Sequence, residues 1–225
     1  YYITNVMEEY TPDMDQMLFY LPLAGSTFKK TYFDAAINRA VSKFVPAENM
    51  VVPYETADLQ TCPNITQVVR MSLNDLRKNQ VSGFYLDIDV IPAQEDLTSV
   101  AEQTNRIDGV SPSQIDYDCT LLECHVDLDL EGYEELGEDG EPTGIKIPYI
   151  VTISSDNSQI LSIRRNYDEE DEAKTKIQYF THFKFLPGFG FYGLGLIHTI
   201  GGLCRTATSA LRQLIDAGTL SNLPA

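Results

Sequence analysis

The spacing of apolar residues changes period several times along this 225-residue chain, and each change marks an element. Residues 3–20 mix acids and apolar positions at helical spacing, which predicts a helix ended by Pro22. Residues 26–34 and 40–45 read as one further helix on local preference, because Ala35, Ala36 and Ala40 favour it. Short strands are predicted over 50–53 and 65–71. Ser72 then supplies an N-cap, with Leu73 and Leu76 inward and Arg77-Lys78 on a solvated face, so 72–81 is predicted helical.

The second half begins with 93–106, polar and rich in helix formers, predicted as an exposed helix ending before Gly109. Over 120–130 the alternation places Leu122, Cys124, Val126, Leu128 and Leu130 on a buried face and Glu123, His125, Asp127 and Asp129 on a wet one. Turns at 137–144 and 154–158 separate this strand from 145–153 and 160–165, giving a three-stranded meander. Residues 179–185 alternate again until Pro187, which cannot donate to a ladder. From Leu196 the period becomes helical: Leu196, Ile200, Leu203, Ala207, Ala210 or Leu211, and Leu214 share one face, and Gly218 is the expected stop. The sum is an α+β fold, a mainly antiparallel sheet with the long helix packed on it.

The bend before that helix carries a motif. Gly188-Phe-Gly190-Phe-Tyr-Gly193 satisfies G-x-G-x-x-G between a strand and a helix, where a helix N-terminus holds a pyrophosphate. Phe189, Phe191 and Tyr192 put rings where a ligand needs backbone, no second βα unit follows, and Asp216 lies inside the helix rather than at a strand end. The preferred reading is structural: Gly188, Gly190, Gly193 and Gly195 let strand and helix approach while the aromatics fill a core. A nucleotide-binding enzyme using 188–195 is the alternative.

Charge narrows the function classes. Sixteen Lys plus Arg against 33 Asp plus Glu leave a net charge of −17, which argues against a nucleic-acid-binding surface. The 116–141 stretch holds eleven acids and no Lys or Arg, and 168–172 adds five acids in a row. Lys174, Lys176, Lys184, Arg205 and Arg212 reverse the balance afterwards; such acidic runs are most often solvated loops, and opposite patches meeting across a boundary between copies are the alternative. No apolar run reaches the length of a membrane span, and no membrane partner is expected.

Candidate chemistry is sparse. Asp127, Asp129, Glu131 and Glu138, with Gly132 at the bend, follow calcium-loop spacing, but a strand precedes them and Glu134 stands where an apolar anchor belongs. A solvated hairpin is the preferred reading, and a calcium-stabilised surface protein the alternative; no metal or cofactor is expected. Cys62, Cys119, Cys124 and Cys204 are too scattered for a disulfide framework, and alternation puts Cys119 and Cys124 on opposite faces, so buried thiols are expected. His125, His182 and His198 are isolated, His182 reading as a satisfied structural histidine. Asp87 and Asp89 lack a second carboxylate pair, and no catalytic residue is assigned.

The tract FKFLPGFGFYGLGLIHTIGGL, continued by ATSALRQLIDAGTLSNLP, resembles the corresponding segment of portal proteins from short-tailed bacteriophages, the ring-shaped head-to-tail connectors. LPLAGSTFKKTYFD, FVPAENMVVPY, GIKIPYIVTI and ILSIRRNY are similar to the same family, so the resemblance spans nearly the whole chain. It implies a wing-type domain with a hairpin rather than a helix over 26–45, connected through 35–39. It further implies that the chain is a fragment of a longer protein, with stem and clip segments after Ala225, in a dodecameric ring at one capsid vertex. The implied partners are terminase, scaffold or capsid and tail adaptor proteins. DNA would pass through without sequence-specific binding, in the virion and, during assembly, in the host cytoplasm.

Overall fold

A computed structural model describes residues 1–34, 37–90, 118–135 and 141–221, with isolated positions 103, 106, 107 and 109. The predicted helix over 93–106 falls almost entirely outside the described residues. The fold is α+β with two antiparallel sheets, and the chain divides into two compact units.

The first unit comprises Tyr1–Ala47, Thr56–Leu59 and Tyr179–Ala225. A π-helical turn, Tyr2–Val6, leads into α1, Tyr10–Ala24. Pro22 does not end this helix as expected but sits in its last turn, where it forgoes the one bond its N–H would make to the Leu18 carbonyl and the helix continues to Ala24. The stop is Gly25, left-handed at φ 89°, whose N–H donates to the Leu21 carbonyl at 2.9 Å. Strands β1 (Ser26–Asp34) and β2 (Arg39–Pro46) form the hairpin that the family resemblance implied, and the helix suggested by the alanines does not form. Ala35 and Ala36 lie outside the described residues. Strand β8, Phe180–Lys184, pairs with the other side of β1, so the sheet order is β2-β1-β8.

The outer edge of β2 is covered by side chains rather than by another strand. The amides of Ala40 and Phe44 donate to the Tyr2 hydroxyl at 3.2 Å and to Asp13 Oδ2 at 2.8 Å. Glu9 sits between them, 2.6 Å from Arg39. Burial raises the pKa of Glu9, but hydrogen bonds from its own backbone, from Arg39 and from the Ser42 backbone outweigh this and hold it below the usual carboxylate value. Acceptors along a row of otherwise unpaired amides protect an edge from strand addition.

The second unit, Glu48–Glu55 with Gln60–Gln178, is a five-stranded sheet of order β3-β4-β5-β6-β7. Its strands are β3 (Met50–Val51), β4 (Asn64–Ser72), β5 (Asp118–Leu128), β6 (Ile147–Ser154) and β7 (Ile160–Arg165). The meander appears as predicted. Helix α2, Leu73–Val81, starts as predicted: Ser72 Oγ accepts the Asp75 N–H at 3.1 Å, and Leu76 is buried.

The faces of β5 correct the sequence reading. Cys119, Leu121 and His125 are buried, whereas Leu122, Cys124, Val126 and Leu128 are only half-buried. Cys119 and Leu121 join Leu76, Tyr85 and Leu161 in one core, while Val126, Leu128 and Leu130 pack with Ile147, Tyr149 and Val151 in another. Both faces of the strand are therefore covered, a case that simple alternation does not describe.

The last helix, α3, Leu196–Ser221, is amphipathic as predicted but does not pack on a sheet. Leu196, Ile200, Leu203 and Leu214 are 36%, 45%, 71% and 71% exposed.

Candidate functional site

The glycine bend is shaped by the end of α1. Leu186 and Leu194 form an isolated antiparallel bridge, with the Leu194 N–H donating to the Leu186 carbonyl at 2.8 Å, and the loop between them folds over Gly25. A Cβ on Gly193 would stand 2.5 Å from the Gly25 carbonyl oxygen, and one on Gly195 would stand 2.2 Å from that of Leu23. Gly188 has Tyr192 backbone oxygen at 2.4 Å from its would-be Cβ, whereas Gly190 faces open space. Three of the four glycines therefore serve close approach of chain to chain.

The loop amides are committed as well. The Gly193 N–H donates to Ser26 Oγ at 2.7 Å and the Gly195 N–H to His198 Nδ1 at 3.1 Å. A pyrophosphate at this helix start would have to displace both bonds and the backbone of Leu23 and Gly25. Of the three aromatics expected to fill a core only Phe191 does, stacked 5.9 Å from Phe28; Phe189 and Tyr192 are exposed.

Ser26 connects this loop to His182, a pairing of residues 156 positions apart that sequence reading did not find. Ser26 Oγ accepts the Gly193 N–H at 2.7 Å and lies 3.1 Å from His182 Nε2, to which it donates or from which it accepts according to the imidazole tautomer. The His182 ring stacks 4.4 Å from Phe28 and lies 4.7 Å from Phe191. Burial, and then the Lys184 ammonium, push its pKa down to about 4. A hydroxyl and an imidazole at this distance suggest a nucleophile and its base, yet Ser26 is 1% exposed and no substrate reaches it. The pair pins β1, β8 and the glycine loop together.

The remaining candidates are not brought together. Asp127 lies on β5 opposite Pro148, Asp129 and Glu131 are exposed beyond the strand, and Glu138 is outside the described residues. Glu134, in the place of the missing apolar anchor, accepts the Gly132 N–H at 2.8 Å. Among the described residues no group of three His, Cys, Asp or Glu side chains is placed to hold a metal ion. His125 is not on a wet face but buried, 2.8 Å from Glu123. The four cysteines are reduced; Cys62 and Cys119 are buried and Cys204 is exposed on α3. Asp87 pairs with Arg77 at the mouth of an open cleft of about 490 Å³, also lined by Leu76, Gln80, Asp89 and Val90.

The surface charges are partly used within the chain. Lys174 pairs with Glu135, Arg165 with Glu169 at 2.6 Å, and Lys176 donates to the Cys62 carbonyl at 3.1 Å. The basic tract left for a neighbour is thereby reduced to Lys184, Arg205 and Arg212. Among the described residues the most extensive exposed apolar surface belongs to α3, about 39 Å long at 1.5 Å per residue, which touches α1 of its own chain and leaves its apolar side exposed. Among the described residues no helix is long and apolar enough to cross a membrane. No protein-family model matches the chain, and no curated protein matches it significantly.

Proposed function

We propose that the chain is a structural subunit of a phage portal ring, the DNA conduit at one capsid vertex and the docking surface for terminase and tail. The carrying observation is α3: Leu203, Leu211, Leu214 and Ile215 are each at least 60% exposed on one side of a helix that a lone chain leaves wet. A surface of this kind marks an interface, and neighbouring copies in a ring would cover it. The resemblance of the glycine bend and α3 to short-tailed-phage portals supplies the kind of ring. The net charge of −17 suits a conduit, since DNA sliding past an acidic surface is not retained by it. The glycine loop filled by its own backbone, and the sealed Ser26–His182 pair, fit a subunit that leaves catalysis to a separate terminase motor.

Electron microscopy of the intact protein, with light scattering at low and high salt, tests the reading. Closed rotational rings are expected. Strictly monomeric protein in both measurements removes the portal assignment.

A further inference from the structure

We infer that α3 is the contact between neighbouring copies, packing head-to-tail on the α3 of the next subunit through two unlike flanks of its apolar side. The inference rests on the ring reading above and names the surface that closes the ring. At about 100° per residue, Ile197, Cys204, Leu211 and Ile215 form one flank of large side chains. Thr199, Thr206, Ala210 and Ala217 form the opposite flank, all small, with Leu196, Ile200, Leu203 and Leu214 between them. A large flank against a small one is a complementary pair of different patches, which in a head-to-tail arrangement generates rings; a parallel two-fold pair also sets large against small, so an unaltered chain that stops at dimers overturns the inference.

Three further observations fit burial of both flanks. Arg205, Arg212 and Asp216 all lie on the far side of the helix, so two copies meet without opposed charges and without unpaired charge in the contact. The threonines of the small flank turn their hydroxyls back: Thr206 Oγ1 donates to the Gly202 carbonyl at 3.0 Å, and Thr199 Oγ1 lies 3.3 Å from that of Leu196. That flank presents methyl groups and leaves no orphan donor on burial. Gly201, Gly202 and Gly218 weaken an isolated helix, so α3 draws its stability from packing.

Area decides between a pair and a closed array. A strip about 39 Å long and about 10 Å wide buries roughly 400 Å² on each helix, about 800 Å² per contact, below the roughly 1,000 Å² of a lasting interface. Two such contacts per subunit exceed that threshold, so one contact holds a pair only weakly, at the upper end of a concentration series, and an array in which each helix meets two neighbours is held more firmly.

The test uses the whole chain in sedimentation velocity across a concentration series. Leu211→Asp with Ile215→Asp removes the large flank, and Ala210→Glu with Ala217→Glu removes the small one. The unaltered chain is expected to associate, each variant alone to do so at least about 30-fold more weakly, and an equimolar mixture of the two variants to form dimers and stop there, because one intact pair of flanks remains. Association of the unaltered chain is expected to persist at about 1 M salt, where exposed ion pairs are screened. Variants that associate like the unaltered chain overturn the inference while rings in micrographs still stand or fall separately. A mixture that stays monomeric overturns the head-to-tail geometry, as does an unaltered chain that stays monomeric throughout. Circular dichroism checks folding, and Thr206→Cys gives a readout in a nearly unchanged chain. Mild oxidation should join its new thiol to Cys204 of the next copy in a covalent ladder, and a chain that remains monomeric on a non-reducing gel counts against the contact.

Discussion

The His182 site makes acid sensitivity a quantitative consequence of the fold. In the unfolded chain the imidazole titrates near 6.5, and in the folded one near 4. Above pH 6.5 neither state binds the proton and the site costs nothing. Between 6.5 and 4 the unfolded chain takes up a proton that the folded chain refuses, so stability falls as pH falls; below 4 both states are protonated and the loss levels off. The difference of about 2.5 units corresponds to about 3.4 kcal/mol at most, nearer 2 kcal/mol once solvent at the half-buried ring edge is allowed for.

Urea unfolding followed by far-UV circular dichroism, at intervals from pH 7.5 to 4.5, measures this loss in a chain without tryptophan. The comparison is His182→Phe, which keeps a ring against Phe28 and Phe191 and gives up the Ser26 hydrogen bond at about 1 kcal/mol. Its stability should start lower at pH 7.5 and decline less steeply, so that the two curves converge toward pH 4.5. Carboxylates held below their usual pKa, Glu9 among them, lose their contribution lower in the pH range and do so in both proteins. Curves that stay parallel over the whole interval would show that His182 is not kept neutral by the fold and would refute the reasoning.

The glycine loop predicts a contrast between neighbours: Gly195→Ala should cost about 3 kcal/mol because its Cβ meets the Leu23 carbonyl, while Gly190→Ala should stay within about 0.5 kcal/mol, as thermal unfolding will show. Equal losses at the two positions would mean that chain-to-chain contact does not set the glycine requirement. Nicotinamide or flavin nucleotides, and calcium or a chelator, should leave the melting temperature unchanged; a saturable rise with a nucleotide, or a drop with chelator reversed by calcium, would restore the corresponding ligand reading.

Local chemistry made parts of the fold legible. The Ser72 cap, the turn over 154–158 and the antiparallel succession of β5, β6 and β7 each depend on neighbours in sequence, and each was readable. Pro22 misled because the loss of one backbone bond did not stop the helix, which ends at the left-handed Gly25, where the distant backbone of Gly193 and Gly195 leaves no room for a Cβ. His125 misled for another reason. Its alternation with acids is that of a wet face, but Glu123 lies 2.8 Å away and gives the buried ring a partner.

The candidate site shows the same division between local and distant causes. The glycines of the bend announced that something comes close, but whether a phosphate or another stretch of backbone depends on where residues 23–25 go, and no spacing between 188 and 195 carries that information. The Ser26–His182 bond closes over 156 positions and leaves no sequence signal. Periodicity identified the apolar side of α3 correctly and misassigned what covers it. An amphipathic pattern reports that one side of a helix avoids water, and a sheet of the same chain or a helix of the next copy satisfies that condition equally. The distinction lies in finer features: unlike flanks, hydroxyls folded back on the helix, and charges confined to the far side. These are the residues that the flank substitutions address. If Leu211 and Ile215 prove as indifferent to association as Arg205 and Arg212, the exposed side of α3 belongs to some other partner, and periodicity will have named a surface without naming its use.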